Sequence, residues 1–296
     1  MKLIDSKAEI LNQESGLRGI YKQIELAGRT CYKSENKITD ESSTDFVQRM
    51  IECGHTAMLE HGTVYLKCTN FEWPQIPAIV FDRNPYSKVH HNSNGIYVTT
   101  NYRVIRENNL LDCMRFLCEP TEFHERRITL KFTTDRGVSH ELVRHRVFSF
   151  AQESTRYCNY SKDKFGNELT FIIPSWAGCK DEISYTHYFD VEEREKLQTD
   201  FGQSYGGFVH QLSLIEDEYL CQLEYGRTPQ EARQILPNAL KTEIVMTGFV
   251  SDWKHFFDLR LFGITGKPHP DMLLLAEKAK KALEEKDLWR LIYKPN

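Results

Sequence analysis

The 296-residue chain lacks any apolar run of the roughly 20 residues that a membrane-spanning helix needs. Its first nine residues, MKLIDSKAE, carry too many charges for the apolar part of a secretory signal. We therefore expect a cytoplasmic protein that does not bind membranes.

The chain also lacks a strong charge of either sign and a metal-binding cysteine pattern. Its net charge of −4 gives no basis for bulk nucleic-acid binding. Its eight cysteines are scattered and form no C-x-x-C pair, so we predict free thiols and no metal site.

No internal repeat, low-complexity run or Gly/Ser/Pro-rich linker divides the sequence, and we predict one domain over residues 1–296. Helices and strands alternate unevenly, which predicts an α+β fold with a mainly antiparallel sheet and flanking helices. We predict a helix over 41–53 and a long helix that begins with a capping box at Asp190 and Glu193 and ends near Gly226. A further helix is predicted to begin at Thr228-Pro229. The predicted strands are 62–68, 128–134 and 242–250, and 84–95 is predicted to be a loop.

A short basic segment, RHRVFSFAQESTRY, follows the strand that ends at residue 134. Ser139 is predicted to cap the intervening helix, which would extend to Arg146. Arg144, Arg146 and Arg156 together favour a phosphate ligand, because each guanidinium offers a planar fork of donors. The alternative is a solvated helix end, with the arginines paired to Glu141 and Glu153.

Two other histidine groups carry weaker signals. His140 and His145 resemble the zinc-protease pair but are five residues apart, about 140° around a helix, so they cannot share one metal. Gly54 to His61 (GHTAMLEH) places two histidines and a glutamate at a helix-to-strand junction. Taken alone, that segment is most simply a polar turn.

An aromatic helix is predicted after residue 250, capped by Ser251. Trp253, Phe256, Phe257 and Arg260 share one of its faces. Such a face is usually core with an arginine reaching out of it, and a flat ligand packed on the rings is the alternative.

The pattern R-H-R-x(7)-S, from Arg144 to Ser154, resembles the signature of the flavin-dependent thymidylate synthases. Three further blocks resemble segments of that family in the same order: GHTAMLEH, ARQILP at 232–237 and WKHFFDLR at 253–260.

The resemblance implies a homotetramer with active sites shared between subunits, converting dUMP to dTMP. FAD would be bound, with 5,10-methylenetetrahydrofolate as one-carbon donor and NADPH as reductant. Arg260 matches the arginine that polarises the uracil ring, while Ser154 and Arg156 match phosphate ligands. The implied dUMP site comprises Glu141, Arg144, Gln152, Glu153, Ser154, Thr155, Arg156 and Arg233, and the implied FAD site His55, Glu60, Arg144, His145, Arg146 and His255.

The chain departs from the family pattern at two positions on the cofactor side. Ala57 stands where a small hydroxyl residue is common, and Cys31 stands where serine is frequent. We expect any side-chain cofactor contact at Ala57 to be lost.

Two other functions fit the same sequence less well. A non-catalytic nucleotide-binding module would keep the fold, but such a module would tend to lose His55, His255 or Arg260. A flavin-dependent methyltransferase acting on RNA is disfavoured by the negative net charge. Flavin absorbance of the purified protein separates the enzyme from the module.

Overall fold

The computed structural model describes residues 1–72, 78–162, 165–177, 183, 184, 195, 199 and 202–293. The described strands are β1 (Lys2–Ile4), β2 (Lys7–Ile10), β3 (Thr63–Cys68), β4 (Lys88–Asn92), β5 (Gly95–Asn101), β6 (Arg127–Asp135), β7 (Ser149–Gln152), β8 (Thr170–Ile172), β9 (Ile183–Ser184) and β10 (Lys241–Phe249). The described helices are α1 (Gly16–Tyr32), α2 (Ser42–Glu52), α3 (Ala78–Arg83), α4 (Tyr102–Glu107), α5 (Arg136–Leu142), α6 (Gln203–Glu224), α7 (Pro229–Ala232), α8 (Val250–Arg260), α9 (Pro270–Glu285) and α10 (Trp289–Ile292).

The described strands form three small sheets. The central one is antiparallel, in the order β2-β6-β10-β7, and a second antiparallel sheet has the order β3-β5-β4. The third, β8-β1-β9, contains the parallel pair β1–β8. The predicted α+β class with mainly antiparallel strands is confirmed, but the strands are divided among three sheets instead of one.

Strand β10 is the centre of the molecule because both of its faces are covered. Ile244 and Met246 belong to the core formed with α8 and α9. Val245, which points to the opposite face, packs with Ala27 of α1 and Ala151 of β7. A strand buried on both faces reads as a continuous apolar run, which matches the sequence IVM at 244–246.

The aromatic face of α8 lies in the main core. Trp253, Phe256 and Phe257 are fully buried, and the indole nitrogen of Trp253 donates to the carbonyl of Ile128 on β6 at 3.1 Å. The prediction that this face is core is therefore confirmed, and the alternative of a ligand packed on the rings is wrong. Arg260 remains at the end of the face, partly exposed.

The predicted loop over 84–95 is wrong in its second half. Residues 88–92 form β4, which pairs with β5 as a hairpin. Asn92 pairs with Gly95, leaving a two-residue turn between them. The two turn residues are Ser93 and Asn94, and Gly95, which follows them, adopts a φ of +138° that other residues rarely reach.

Ser139 is not the cap of α5. The helix begins directly after β6, and the Asp135 carboxylate accepts from the Val138 amide at 2.8 Å. The Ser139 hydroxyl instead donates to the carbonyl of Arg136. Because α5 ends at Leu142 and not at Arg146, the R-H-R segment lies in the turn that follows the helix.

Ser251 is not the cap of α8 either. The helix begins at Val250, and the Asp252 carboxylate accepts from the Phe249 amide at 3.0 Å. The Ser251 hydroxyl donates to Glu125. An acidic residue in the first turn also suits the positive end of the helix.

The other predicted elements are confirmed within one or two residues: helix 41–53 as α2, strands 62–68, 128–134 and 242–250 as β3, β6 and β10, and the Thr228-Pro229 start as α7 with its capping box. The helix predicted to end near Gly226 ends at Glu224, while Asp190 and Glu193 lie outside the described residues. Among the described helices, none combines the length and apolar composition that crossing a bilayer requires.

Gly248 supplies a test of how β10 supports the R-H-R turn. A Cβ at this position would overlap the ring of Phe148, the second residue after Arg146. We expect Gly248→Ala to destabilise the protein by about 1–3 kcal/mol, the usual cost of overpacking a core. Urea unfolding measures this change.

Gly207→Ala is the matched control, because Gly207 lies within α6 and a Cβ there meets no atom within 4 Å. Alanine in a helix is favoured over glycine by about 1 kcal/mol. This variant should be at least as stable as the parent protein. Equal stability of Gly248→Ala and the parent would contradict the close Phe148 contact.

Candidate active site

The first cluster of candidate residues joins the ends of α5 and α8. Arg260 donates through NH1 to the Glu141 carboxylate at 2.6 Å and through Nε to Nε2 of His145 at 3.1 Å. These residues are more than 110 positions apart in the chain. The predicted pyrimidine-polarising arginine is therefore held by two other predicted site residues.

His145 is the buried member of this cluster. Burial, together with the nearby Arg260 and His255, lowers the pKa of His145 to about 4. Its imidazole is thus neutral at pH 7 and accepts the Arg260 hydrogen bond. The exposed ring of His255 lies with its centroid 6.3 Å from that of His145, so the two histidines are neighbours in space.

Arg144 and Arg146, on either side of His145, are exposed. Among the described residues, neither guanidinium makes a hydrogen bond or an ion pair. The carboxylates that could have paired with them are engaged elsewhere, Glu141 by Arg260 and Glu153 by Lys241. The salt bridges to Glu141 and Glu153 in the alternative interpretation are therefore wrong for these two arginines, although both are exposed to solvent as that interpretation expects.

Glu141 also faces open space. It lines a cavity of about 350 Å³ with Asp135, Asn238, His269 and Asp271. The Glu141 side of the cluster therefore borders a cavity large enough for a small molecule.

The second cluster is the turn that follows β7. The Ser154 amide donates to the carbonyl of Cys31 at the end of α1, and the Ser154 hydroxyl accepts from the Arg156 amide at 3.3 Å. Thr155 is buried, and its hydroxyl accepts from Arg233 at 3.2 Å. Arg156 is exposed, with its guanidinium 5.5 Å from the centre of the Tyr157 ring. This turn, defined here as the phosphate turn (Ser154, Thr155 and Arg156), is thus braced by α1 and by Arg233.

Gln152 and Glu153 precede the phosphate turn and are held by the protein itself. The Gln152 side-chain nitrogen donates to the hydroxyls of Ser139 and Thr242. Glu153 is buried, and its carboxylate accepts from Tyr160 and Lys241. Glu153 therefore does not present its carboxylate to a ligand on the surface, which counts against the predicted substrate contact.

The upstream segment places two further candidates differently. Residues 56–61 form a 3₁₀ helix directly before β3. His55 is exposed at its start, with Nδ1 3.5 Å from the Tyr32 hydroxyl. Glu60 is paired with Arg103 at 2.6 Å, so its carboxylate already has a cationic partner.

Among the described contacts, the Cys31 thiol is engaged within the protein, and Ala57 has no polar side-chain group. Burial raises the pKa of the Cys31 thiol to about 11, and its sulfur lies 3.9 Å from that of Met58. A thiol with so high a pKa is a poor nucleophile. Ala57 is exposed and has no hydroxyl with which to contact a cofactor.

Two tyrosines at the site were not among the predicted site residues. The rings of Tyr32 and Tyr157 lie 5.3 Å apart, between His55 and Arg156. Tyr157 is 57% exposed. Tyr157 could have been predicted as a site residue because it ends the basic segment RHRVFSFAQESTRY. Tyr32 lies far from that segment in the sequence and had no such signal.

The described contacts thus gather the predicted residues into two separate groups. Glu141, His145, His255 and Arg260 form one group, with Arg144 and Arg146 on the same turn. Thr155, Arg156, Ser154 and Arg233 form the other, beyond the four residues of β7. His55 is linked to the second group by two contacts: it lies next to the Tyr32 hydroxyl, and the Tyr32 ring packs on Tyr157.

Comparison with known proteins bears on the family to which the chain belongs. A family model described as thymidylate synthase complementing protein matches residues 95–287, more than half of the chain. The flavin-dependent thymidylate synthases of Mycobacterium avium (strain 104) and Corynebacterium glutamicum are 24% and 25% identical over 243 and 245 residues. Each match covers 80% of this chain and 66% of the relative, so the chain spans just under two thirds of the length of these relatives.

Solved structures are similar at a lower level. A flavin-dependent thymidylate synthase from Helicobacter pylori, complexed with FAD and dUMP, has a TM-score of 0.40 at 14% identity, covering 97% of this chain and 98% of that one. A UMP/dUMP methylase from Streptomyces cacaoi, bound with 5-Br dUMP, has a TM-score of 0.44 at 14% identity, covering 95% and 91%. These scores are low, and the sequence matches carry the assignment.

The family model begins at the first residue of β5 and covers three of the four motif blocks, and it confirms the family resemblance. The fourth block, GHTAMLEH, lies before the matched residues. The chain therefore belongs to the thymidylate synthase complementing protein family.

Proposed function

We propose that the protein is a flavin-dependent thymidylate synthase. It converts dUMP to dTMP, with 5,10-methylenetetrahydrofolate as one-carbon donor, NADPH as reductant and FAD as bound cofactor. The observation that carries the proposal is the contact between two motif blocks, in which Arg260 of one binds Glu141 and His145 of the other. The family resemblance named these three residues from two separate stretches of sequence, and in the folded chain they are in contact.

The residues of the first cluster fit a cofactor that contains a pyrophosphate. Arg144 and Arg146 are exposed and unpaired within the described part of the chain, so their forks are free to bind phosphate oxygens. Neutral His145 and exposed His255 lie beside them. Bound FAD would supply the redox chemistry by which the one-carbon unit and hydride reach the pyrimidine.

The phosphate turn fits the dUMP phosphate. Arg156 and Arg233 supply positive charge, and the hydroxyl of Ser154 lies on the same short turn. The Ser154 hydroxyl has no histidine or carboxylate within hydrogen-bond distance among the described residues. A serine nucleophile needs such a base, so the contacts favour a binding role.

Arg260 is the candidate for activating the pyrimidine. A fixed cation next to uracil would stabilise negative charge that develops on the ring during the reaction. Its fork is oriented by Glu141 and by neutral His145, so the protein does not need to reorganise it at that moment.

The separation of the two clusters supports a shared site. Within one chain, Arg260 is tied to the end of α5, which precedes β7, and Arg233 to the phosphate turn, which follows β7. Two subunits could bring the flavin-side cluster of one chain to the phosphate turn of another. This arrangement agrees with the homotetramer implied by the family resemblance.

The proposed reaction predicts release of tritium from [5-³H]dUMP by the purified protein. Release should require both methylenetetrahydrofolate and NADPH, and the protein should show flavin absorbance after reconstitution with FAD. Omitting each component in turn is the control. Flavin binding without tritium release, under conditions in which dUMP is bound, would contradict the proposed reaction.

Arg260→Lys tests the role of the guanidinium fork. Lysine keeps the charge but lacks the planar fork that binds His145 and Glu141 in fixed directions, so we expect kcat to fall on the order of 10²-fold or more. Steady-state kinetics at saturating dUMP measure this change.

Lys254→Gln is the control on the same helix, because Lys254 makes a largely exposed ion pair with Asp258. Pairs of this kind contribute little to stability. An unchanged kcat in Arg260→Lys, or an equal loss in Lys254→Gln, would exclude the proposed role.

Ser154→Ala tests whether the serine binds or reacts. Losing a hydrogen bond to a charged phosphate costs about 1.5–3 kcal/mol, a factor of roughly 10 to 150 in affinity. The KM for dUMP should rise by that factor while turnover at saturating dUMP stays measurable.

Ser161→Ala is the matched control, because the Ser161 hydroxyl donates only to Asn159, two residues away, in the described structure. It should leave the KM for dUMP unchanged. Abolished turnover in Ser154→Ala with near-native dUMP affinity would instead indicate a covalent role, since losing a nucleophile costs on the order of 10⁶ in kcat.

A further inference from the structure

Glu153 is the acidic residue immediately before the phosphate turn, and its carboxylate points into the protein. It is 2% exposed. One oxygen accepts from the Tyr160 hydroxyl at 3.0 Å, and the other accepts from Lys241 Nζ at 2.8 Å and from the Glu243 amide at 3.2 Å. A buried carboxylate with three donors is a fixed structural point.

These contacts fix both ends of the turn. The Glu153 amide donates to the carbonyl of Glu243, which continues the β7–β10 pairing by one residue. Tyr160 lies after the turn, so its bond to Glu153 closes the chain back on itself across Ser154 to Asn159. The turn is thus tied at its start to β10 and at its far end to Glu153.

A chain of charges connects this point to α1. Lys241 bridges Glu153 and Glu243, and Glu243 also pairs with Lys33 at 3.0 Å and Lys131 at 2.8 Å. Burial opposes ionisation of the Glu243 carboxyl, but the three lysines outweigh burial and hold its pKa far below its usual range. Lys33 directly follows Tyr32, whose ring packs on Tyr157.

The network therefore reaches the phosphate turn from two sides. Beneath it, Lys241 holds Glu153, the residue immediately before the turn, and beside it the end of α1 contacts Ser154 and Tyr157. A misplacement of about 1 Å in such a turn can cost 10²-fold in activity, because ligand geometry must be held closely.

We propose that Glu153 is a positioning residue for the phosphate turn, acting through its buried bonds to Lys241 and Tyr160 and not by contact with substrate. The inference rests on the proposed function, in which Ser154 and Arg156 bind the dUMP phosphate. If this role is right, removing either partner of the Glu153–Lys241 pair lowers the affinity for dUMP.

The experiment compares Glu153→Gln, Lys241→Met and the double variant in the FAD-loaded enzyme. Binding of dUMP is measured by calorimetry, and KM and kcat by tritium release. We expect each single variant to weaken dUMP binding by roughly tenfold or more while kcat at saturating dUMP changes much less. The double variant should bind dUMP no more weakly than the worse single variant, because both changes break the same bond between Glu153 and Lys241.

Glu216→Gln is the matched control for lost stability. Glu216 is 1% exposed and binds the Leu169 amide and the N-terminus, far along the chain from the phosphate turn. It should lower the urea midpoint without raising the KM for dUMP. Tyr160→Phe, which removes one donor and keeps the ring, should raise the KM in the direction of Glu153→Gln.

The outcomes separate the two proposals. If the parent protein does not bind dUMP, the proposed function fails. If the parent binds dUMP and Glu153→Gln binds it equally well, the positioning role is wrong. If Glu153→Gln weakens binding but Lys241→Met does not, Glu153 acts by direct contact and the proposal is overturned.

Discussion

The pairing of β10 with β6 on one side and β7 on the other is the constraint on which the site depends. Its register sets Lys241 and Glu243 beneath the phosphate turn and Gly248 beneath Phe148. The same strand leads directly into α8, whose buried rings fix the direction in which Arg260 leaves the core. Both clusters are therefore positioned by one nine-residue strand.

Arg260 shows how burial of neighbours orients an exposed charge. Phe256 lies 5.2 Å from the His145 ring, so the imidazole is held in an apolar setting that keeps it neutral. A neutral ring can accept from the guanidinium, whereas a protonated ring would repel it. The arginine is thus aligned by a hydrogen bond to an uncharged partner and by an ion pair to Glu141, without being fully buried.

Much of this architecture could be predicted from sequence because its signals are local. The alternation at Ile128, Leu130 and Phe132 and the spacing at Trp253, Phe256 and Phe257 each report one buried face. The predicted caps Ser139 and Ser251 were wrong because a nearby aspartate, Asp135 or Asp252, accepts the backbone hydrogen bond at the start of the helix instead. Which side chain does so depends on where the preceding strand ends. Contacts between distant segments had no local signal. The family motif placed Glu153 among the ligands, while its bond to Lys241, 88 residues away, turns it inward.

The distribution of charge bears on how a slightly acidic protein would bind the proposed small anions. Three acidic side chains around the site are each paired with a cation: Glu141 with Arg260, Glu153 with Lys241 and Glu60 with Arg103. Once these pairs are formed, the exposed charges left unpaired on the two turns, among the described residues, are those of Arg144, Arg146 and Arg156. A long polyanion would extend beyond these arginines and be repelled by the rest of the protein, because the chain as a whole carries a net charge of −4. A ligand the size of a nucleotide or a dinucleotide cofactor meets only the local cationic excess.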